Sequence, residues 1–148
     1  MEANTINTTR QFVTFKLEQK EYGIDIQNVS IIEKVLPVTR VPKTPGFIKG
    51  VVNLRGEIIP IMDLRMRFNL PEAEPTEETR VIILKVDEFV FGIVVDSVAE
   101  VLNLSANTIE STANLGNSSN VEFIQGVGKV DDRIVILLNL ERLVKINS

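Results

Sequence analysis

Short runs in which apolar and polar residues alternate dominate this chain. Val, Ile and Phe recur in these runs, and Gly, Asp, Asn and Pro bound them, which is typical of β-strands. Two-residue links of turn chemistry separate successive runs and predict hairpins. The predicted pairs are residues 11–18 with 19–26, with a turn at Gln19 and Lys20, and then 47–54 with 57–64, 80–86 with 89–95, and 122–130 with 133–140. The pattern therefore predicts a mostly β protein.

Helical signals are few. Residues 26–35 could form a short helix, and residues 139–146 resemble a C-terminal helix capped by Asn139. Residues 96–104 fit a helix or a strand equally well. We therefore expect one or two short helices in an otherwise β-rich chain.

The same pattern occurs twice. Residues 21–29 match residues 90–98, an offset of 69, through an aromatic residue, Gly, Ile and a Val five positions further on. Residues 46–64 match residues 122–140 at an offset of 76. The seven extra residues fall in a stretch rich in Ser, Thr and Asn at 105–120, where insertions are tolerated. The sequence thus predicts two related β units.

The repeat gives a domain plan. We expect a disordered tail at 1–10, a first unit at 11–68, an acidic and proline-bearing linker at 69–79, and a second unit at 80–148. About five short strands in each unit suit a small closed barrel, which removes exposed strand edges. Packing two barrels together would bury an apolar seam between them, and strand exchange between the barrels stays open.

Composition narrows the possible chemistry. The 148 residues include no cysteine and no histidine, which excludes disulfides, a thiolate nucleophile and cysteine-ligated zinc, and removes the commonest general base. The longest apolar run has five residues, from Ile134 to Leu138, far short of a membrane span. The polar start has no secretory signal, so we expect a cytoplasmic protein without membrane insertion.

Charge is unevenly divided along the chain. Residues 1–68 hold ten Lys and Arg against seven Asp and Glu, a net of +3, whereas residues 69–148 hold six against thirteen, a net of −7. The total of −4 argues against a general nucleic-acid binder. A basic stretch beside an acidic half suggests two faces that meet different partners.

One turn differs between the repeats. The first repeat has Arg55 and Gly56 at the position where the second has Asp131 and Asp132, with the same flanking hydrophobic residues. Either pair can form the turn, so the fold alone does not require the guanidinium. Arg is favoured at the centres of protein interfaces. We therefore predict that Arg55 is a binding residue.

Four stretches together resemble one family. They are TPGFIKGVVNLRGEIIPIMDLRMRF at 44–68, QFVTFKLEQKEYGIDIQNV at 11–29, FVFGIVVDSVAEVLNL at 89–104 and QGVGKVDDRIVILLNLERLV at 125–144. In this order they resemble the CheW family of bacterial chemotaxis coupling proteins. The resemblance implies two five-stranded SH3-like β-barrels and a non-enzymatic scaffold that needs no cofactor or metal. The implied partners are the cytoplasmic tips of chemoreceptors and the regulatory domain of the chemotaxis histidine kinase, which has the same fold, in a membrane-associated array.

The resemblance also implies a receptor-binding site. Its residues would be Asn53, Leu54, Arg55 and Gly56 in the turn, Val29, Ile32 and Glu33 before it, and Val98 and Leu102 in the second half. Members of the family often carry a glutamate where this chain has Ile31. Glu33 could take its place from a neighbouring position.

Two other functions fit parts of the sequence. Two β halves with Asp63 and Asp96 resemble an aspartic protease, but the Asp-Thr/Ser-Gly string is absent and the two residues are not repeat equivalents, so both are interpreted as strand-end or helix-capping residues. A small RNA-binding barrel could use the basic residues within 34–67, but most Phe residues sit at core-like positions rather than on a stacking surface. Another protein-interaction module is the broader alternative.

Overall fold

The computed structural model describes residues 9–44, 46–110 and 121–144. Within them the chain forms eleven β-strands and two short helices. The strands are β1 Thr9–Leu17, β2 Lys20–Asp25, β3 Val29–Lys34, β4 Ile48–Leu54, β5 Glu57–Asp63, β6 Arg80–Val86, β7 Phe89–Val95, β8 Ser97–Ser105, β9 Ile109–Glu110, β10 Ile124–Val130 and β11 Arg133–Leu138. The helices are α1 Leu64–Arg67 and α2 Leu140–Val144. The prediction of a mostly β protein is confirmed.

The strands form two sheets with matching plans. One sheet has six strands in the order β8-β1-β2-β11-β10-β9, and the other has five in the order β3-β6-β7-β5-β4. The pairs β2 with β11 and β5 with β7 are parallel, and the other pairs are antiparallel. Each sheet takes strands from both sides of residues 69–79, so the strand exchange that the sequence left open does occur. The predicted boundaries thus follow the repeat along the chain rather than the two sheets.

Each sheet closes into a barrel through the segment that follows one of its edge strands. After β3 the chain continues to Thr39, whose N–H and C=O bond with Val51 of β4, both at 2.8 Å. After β8 it continues into β9, where Glu110 pairs with Val127 of β10. The two-residue strand β9 is the sixth strand, one more than the five predicted for each barrel. We call the five-stranded unit the first barrel and the six-stranded unit the second barrel.

Two glycines that the repeats 46–64 and 122–140 share lie where the barrels close. Gly50 and Gly126 are repeat equivalents, and each lies at a β-bulge. A Cβ atom on Gly50 would lie 2.1 Å from the Thr39 carbonyl oxygen, and one on Gly126 would lie 2.9 Å from that of Glu110. Only glycine allows the closing segment to approach so closely.

Alternation along the strands divides the core into three clusters. The first-barrel cluster contains Val52, Ile59, Ile61, Val81 and Ile83, and the second-barrel cluster contains Phe12, Leu104, Val135 and Leu137. The largest, which we call the seam, contains the residues between the two sheets, including Val13, Phe15, Tyr22, Met62, Ile82, Leu84, Phe91, Ile93, Leu138 and Leu143. Ile82 and Leu84 face the seam, whereas their neighbours Val81 and Ile83 face the first barrel. The predicted seam is therefore the main core of the molecule.

The helix predictions have mixed outcomes. The helix at 26–35 is wrong, because a single 3-10 turn, Ile26–Asn28, leads into β3, whose β-branched residues favour a strand. Residues 97–105 form β8, which settles the ambiguity at 96–104. The C-terminal helix is confirmed over Leu140–Val144, with Asn139 Oδ1 accepting a hydrogen bond from the N–H of Arg142 (3.1 Å). Its predicted end at 145–146 lies outside the described residues.

Two smaller predictions need correction. The first hairpin turns at Glu18 and Gln19, one position earlier than predicted. The predicted tail at 1–10 is too long, because β1 begins at Thr9. Residues 1–8 lie outside the described part of the chain. Among the helices that the structure describes, none is long and apolar enough to cross a membrane.

Candidate functional site

The turn between β4 and β5 has the geometry of a type I′ hairpin. Arg55 and Gly56 have φ values of 55° and 86°, and Leu54 pairs with Glu57 across the turn. The side chain of Asn53 supports it, because its Oδ1 accepts a hydrogen bond from the N–H of Gly56 (3.1 Å). Asn53 and Gly56 thus have structural roles that leave the side chain at position 55 unconstrained.

Arg55 is an unfavourable residue for this backbone conformation. The left-handed region costs an L-residue about 1–2 kcal/mol, and Asn, Asp and Gly are the residues that turns of this type prefer. At the equivalent position of the second barrel, Asp131 also has a φ of 55° and satisfies that preference. Strained residues of this kind cluster at functional sites. Arg55 is one of six non-glycine residues with a positive φ in the described part of the chain, and its role in binding stays a prediction.

The guanidinium of Arg55 is available to a partner. Its side chain is exposed, and no described residue forms an ion pair or hydrogen bond with it. Arg65 and Arg133, in contrast, each bind two carboxylates. A free guanidinium presents five donors in a planar fork that matches a carboxylate or a row of carbonyl oxygens.

Two exposed hydrophobic residues lie at the same end of the first barrel. Ile58 is 63% exposed and Phe89 is 68% exposed. Ile61 pairs with Gly92 in the parallel register of β5 and β7, and Ile58 and Phe89 each lie three residues before this pair, near the starts of these two strands. We call them the apolar pair. The sequence does not reveal this pair. The alternation of apolar and polar residues predicts which face of a strand is buried, but not where along the strand the other barrel stops covering that face.

The position of Ile58 is also exposed in the second barrel. Its repeat equivalent, Ile134, is 58% exposed at the start of β11. Single exposed hydrophobics need no explanation, but equivalent ones at the ends of both barrels suggest a shared kind of contact. An end of either barrel can therefore offer an apolar surface to a partner.

The other predicted residues of the first barrel lie along β3. Val29 is half-buried against the seam, and Ile32 is exposed on the seam side, opposite Ile82. Glu33 is half-buried opposite Val81, and Ile31, where the family often has glutamate, packs against the first-barrel cluster. The strand directions place the start of β3 and the two turns, 55–56 and 87–88, at one end of the barrel. Leu54 packs into the same cluster from that end.

The predicted residues of the second barrel differ in orientation. Val98 packs against the seam, as its repeat equivalent Val29 does, whereas Leu102 packs against the second-barrel cluster. The exposed residue on the seam side is Val101, which stands opposite Val13 and is the repeat equivalent of Ile32. A β-bulge in the pairing of β8 with β1 shifts the alternation by one residue, and a sequence does not show this.

The two aspartates of the protease interpretation have structural roles. Asp63 caps α1, accepting a hydrogen bond from the N–H of Met66 (3.1 Å), as predicted. Asp96 is not a helix cap but binds the guanidinium of Arg65 at 3.1 and 2.7 Å and the N–H of Glu18 at 3.0 Å. The hydrogen bonds that Arg65 donates to Asp96, and the one that it donates to Glu18, raise the pKa of Arg65 above its ordinary value. Both carboxylates thus have structural partners at the ends of strands, in keeping with the interpretation of Asp63 and Asp96 as strand-end or helix-capping residues.

The described residues also contain no group of three or more carboxylates arranged to hold a metal ion. One cleft of about 490 Å³ lies under the loop between β3 and β4, among Arg40, Lys43, Lys49 and Asp63. The features that stand out are therefore an exposed arginine and an exposed apolar pair, each of which suits contact with a protein.

Comparison with known proteins agrees with this geometry. The family model described as a CheW-like domain matches residues 11–147. A chemotaxis protein CheW from Klebsiella aerogenes is 42% identical over 134 residues, 90% of this chain and 81% of that protein, and one from Bacillus subtilis is 36% identical over 134 residues, 90% and 86%. The crystal structure of the scaffolding protein TtCheW from Thermoanaerobacter tengcongensis superimposes with a TM-score of 0.86 at 34% identity, covering 95% of each chain. The chain belongs to the CheW-like family of chemotaxis coupling proteins.

Proposed function

We propose that this protein is a non-catalytic scaffold that couples the tips of chemoreceptors to the chemotaxis histidine kinase. The observation that carries the proposal is the family match over residues 11–147. The exposed arginine and the apolar pair support it, because they are binding features without a catalytic constellation beside them. The protein works in the cytoplasm and reaches the membrane through its partners, without binding nucleic acid.

The receptor contact uses the turn of the first barrel and the strands that flank the seam. Arg55 donates hydrogen bonds to the helical receptor tip, and Ile32 and Val101 supply exposed apolar contacts on the seam side of β3 and β8. Leu54 and Leu102 act from inside, by fixing the backbone of the segments that make the contact. The complete set of positions in the proposed receptor site is Val29, Ile32, Glu33, Asn53, Leu54, Arg55, Gly56, Val98 and Leu102, with Val101 added.

The kinase contact uses the apolar pair. The regulatory domain of the kinase has the same fold in this family, so it carries barrel ends of the kind that Ile58 and Ile134 occupy here. Two such ends can meet through a small apolar surface, and alternating copies of scaffold and kinase could then close into a ring. Ile58 and Phe89 are mostly exposed, which leaves nearly all of their surface to be buried by a partner.

Charge reversal at Arg55 tests the receptor contact. We expect Arg55→Glu to weaken capture of receptor fragments at least 30-fold, since an arginine at the centre of an interface contributes about 2 kcal/mol or more. Capture of the kinase regulatory domain should change less than threefold. Equal loss of both partners, with an unchanged circular dichroism spectrum, would show that the two contacts do not lie on separate surfaces.

A second substitution separates binding from folding at the same position. Arg55→Asn places the preferred Asn-Gly pair in the turn, so it should stabilise the protein by roughly 0.5–1 kcal/mol in urea unfolding. It should also weaken receptor capture, because the guanidinium is lost. A variant that is more stable and binds receptors normally would remove Arg55 from the proposed site.

A further inference from the structure

Helix α1 carries an arginine that joins the two barrels. Arg65 follows β5 of the first barrel, and its Nη1 forms an ion pair with Glu18, in the β1–β2 turn of the second barrel, at 2.5 Å. Its Nε and Nη2 bind Asp96, between β7 and β8, where the chain passes from one barrel to the other. Nη1 also donates to the carbonyl oxygen of Pro71 (2.7 Å). One side chain thus connects three segments across the edge of the seam.

A second arginine, two residues further along α1, joins the barrels through aromatic rings. The guanidinium of Arg67 lies 4.5 Å from the ring centre of Phe47 and 4.4 Å from that of Phe123. Phe47 precedes β4 of the first barrel, and Phe123 precedes β10 of the second. The two rings are repeat equivalents, since their numbers differ by the same offset of 76.

The aromatic contacts continue into the second barrel. Phe123 stacks on Phe68 with ring centres 5.7 Å apart, Phe68 contacts Tyr22 at 5.8 Å, and Tyr22 stacks on Phe15 at 5.6 Å. Together with Arg67 these rings form an unbroken column from the start of β4 to β1. We call this column, with the Arg65 ion pairs, the α1 joint. It crosses the seam at a place where sliding of one barrel on the other would break several directional contacts.

The second repeat has other residues at the positions of these two arginines. Helix α2 is the repeat equivalent of α1, and it carries Glu141 and Leu143 where α1 carries Arg65 and Arg67. Leu143 is fully buried in the seam. Apolar packing tolerates small shifts, whereas a guanidinium that binds carboxylates and lies between two rings has a fixed orientation. The seam is therefore packed by apolar residues at α2 and oriented by arginines at α1.

We propose that Arg65 and Arg67 are positioning residues that fix the angle between the two barrels. The inference rests on the proposed scaffold function, because a scaffold transmits a signal between partners only if its contact surfaces keep a defined relation. Loss of the joint leaves both surfaces intact but lets their relative orientation vary. Binding of each partner alone then persists, while coupling between the partners fails.

The matched control is Arg133. It binds two carboxylates in the same way, with Nε and Nη2 on Glu21 and Nη2 also on Glu100, both at distances of 2.7–3.0 Å. Glu21 on β2 and Glu100 on β8 belong to the same sheet as Arg133 on β11. Arg133→Gln therefore removes the same kind of ion pair as Arg65→Gln but crosses no seam.

The distance between the barrels can be measured directly, because the chain contains no cysteine. Spin labels on Glu88→Cys and Asp132→Cys, in exposed turns of the first and second barrels, report it by double electron–electron resonance. We expect one narrow distance distribution in the labelled parent and in Arg133→Gln, and at least a doubled width in Arg65→Gln and in Arg67→Met. Arg65→Lys and Arg67→Lys, which keep the charge but lose the planar fork, should give intermediate widths and guard against poor folding of the other variants.

A functional measurement completes the test. Arg65→Gln should capture receptor fragments and kinase singly within about twofold of the parent, yet support at least fivefold less receptor-dependent kinase autophosphorylation. Distributions as narrow as the parent's in the Arg65 and Arg67 variants would overturn the proposal, and so would equal broadening in Arg133→Gln. Failure of the unmodified parent to join kinase to receptor would instead overturn the scaffold function, so the two failures are distinguishable.

Discussion

The apolar pair offers a sharp separation of binding from folding. Phe89 and Phe91 lie two residues apart on the same face of β7, but Phe89 is 68% exposed whereas Phe91 is buried in the seam. Fully burying a phenylalanine contributes about 1.5–3 kcal/mol, so covering the exposed two thirds of Phe89 would contribute about 1–2 kcal/mol. Phe89→Ala should therefore weaken kinase binding by roughly 5- to 30-fold.

The free energy of unfolding should depend on Phe91 far more than on Phe89. Phe89→Ala should change the free energy of unfolding by no more than about 0.5 kcal/mol, because the side chain contacts little in the free protein. Phe91→Ala should lower it by about 3–5 kcal/mol, since it opens a cavity in the seam. Isothermal titration of the kinase regulatory domain and urea unfolding measure the two effects. Unchanged kinase affinity in Phe89→Ala, or destabilisation comparable to that of Phe91→Ala, would refute the assignment of this surface.

Two further predictions concern the fold. Gly50→Ala should lower the free energy of unfolding in urea by roughly 3–5 kcal/mol, because the added Cβ meets the Thr39 carbonyl oxygen and breaks the closure of the first barrel. Gly56→Ala, whose Cβ would have nothing within 4 Å, should lower it by only about 1 kcal/mol. Equal effects of the two substitutions would contradict the proposed closure. The hydrogen bond from Arg133 lowers the pKa of Glu21, so this pair stabilises the protein above the carboxyl's unfolded pKa and ceases to do so as pH falls through the folded one. Arg133→Gln should accordingly unfold at a higher pH than the parent in an acid titration followed by circular dichroism, and coincident curves would count against the pair.

Features that depend on neighbouring residues were predictable from the sequence. The turns at 55–56, 87–88 and 131–132 follow from local residue preferences, and all three occur in the structure. The cap of α2 at Asn139 was equally visible. The helix predicted at 26–35 is wrong because the apolar spacing of these residues fits a helix as well as an edge strand that pairs with residues 46–55 positions away in the sequence.

Features that depend on distant pairing were not predictable. The pairing of β2 with β11 joins residues more than 100 positions apart, and the residues of neither strand indicate it. The bulge in β8 shifts the alternation, so the exposed residue on the seam side is Val101, whereas the family resemblance implies Leu102. The bond between Arg65 and Asp96 spans 31 residues and likewise becomes visible only once both barrels are assembled.

The most direct test of the whole account is co-sedimentation of purified kinase with membranes that contain a chemoreceptor. We expect the kinase to remain in the supernatant without this protein and to move to the membrane fraction when the protein is added. Arg55→Glu should abolish that movement, although the kinase still binds the variant in solution. Kinase that stays in the supernatant with the unmodified protein present would contradict the scaffold function.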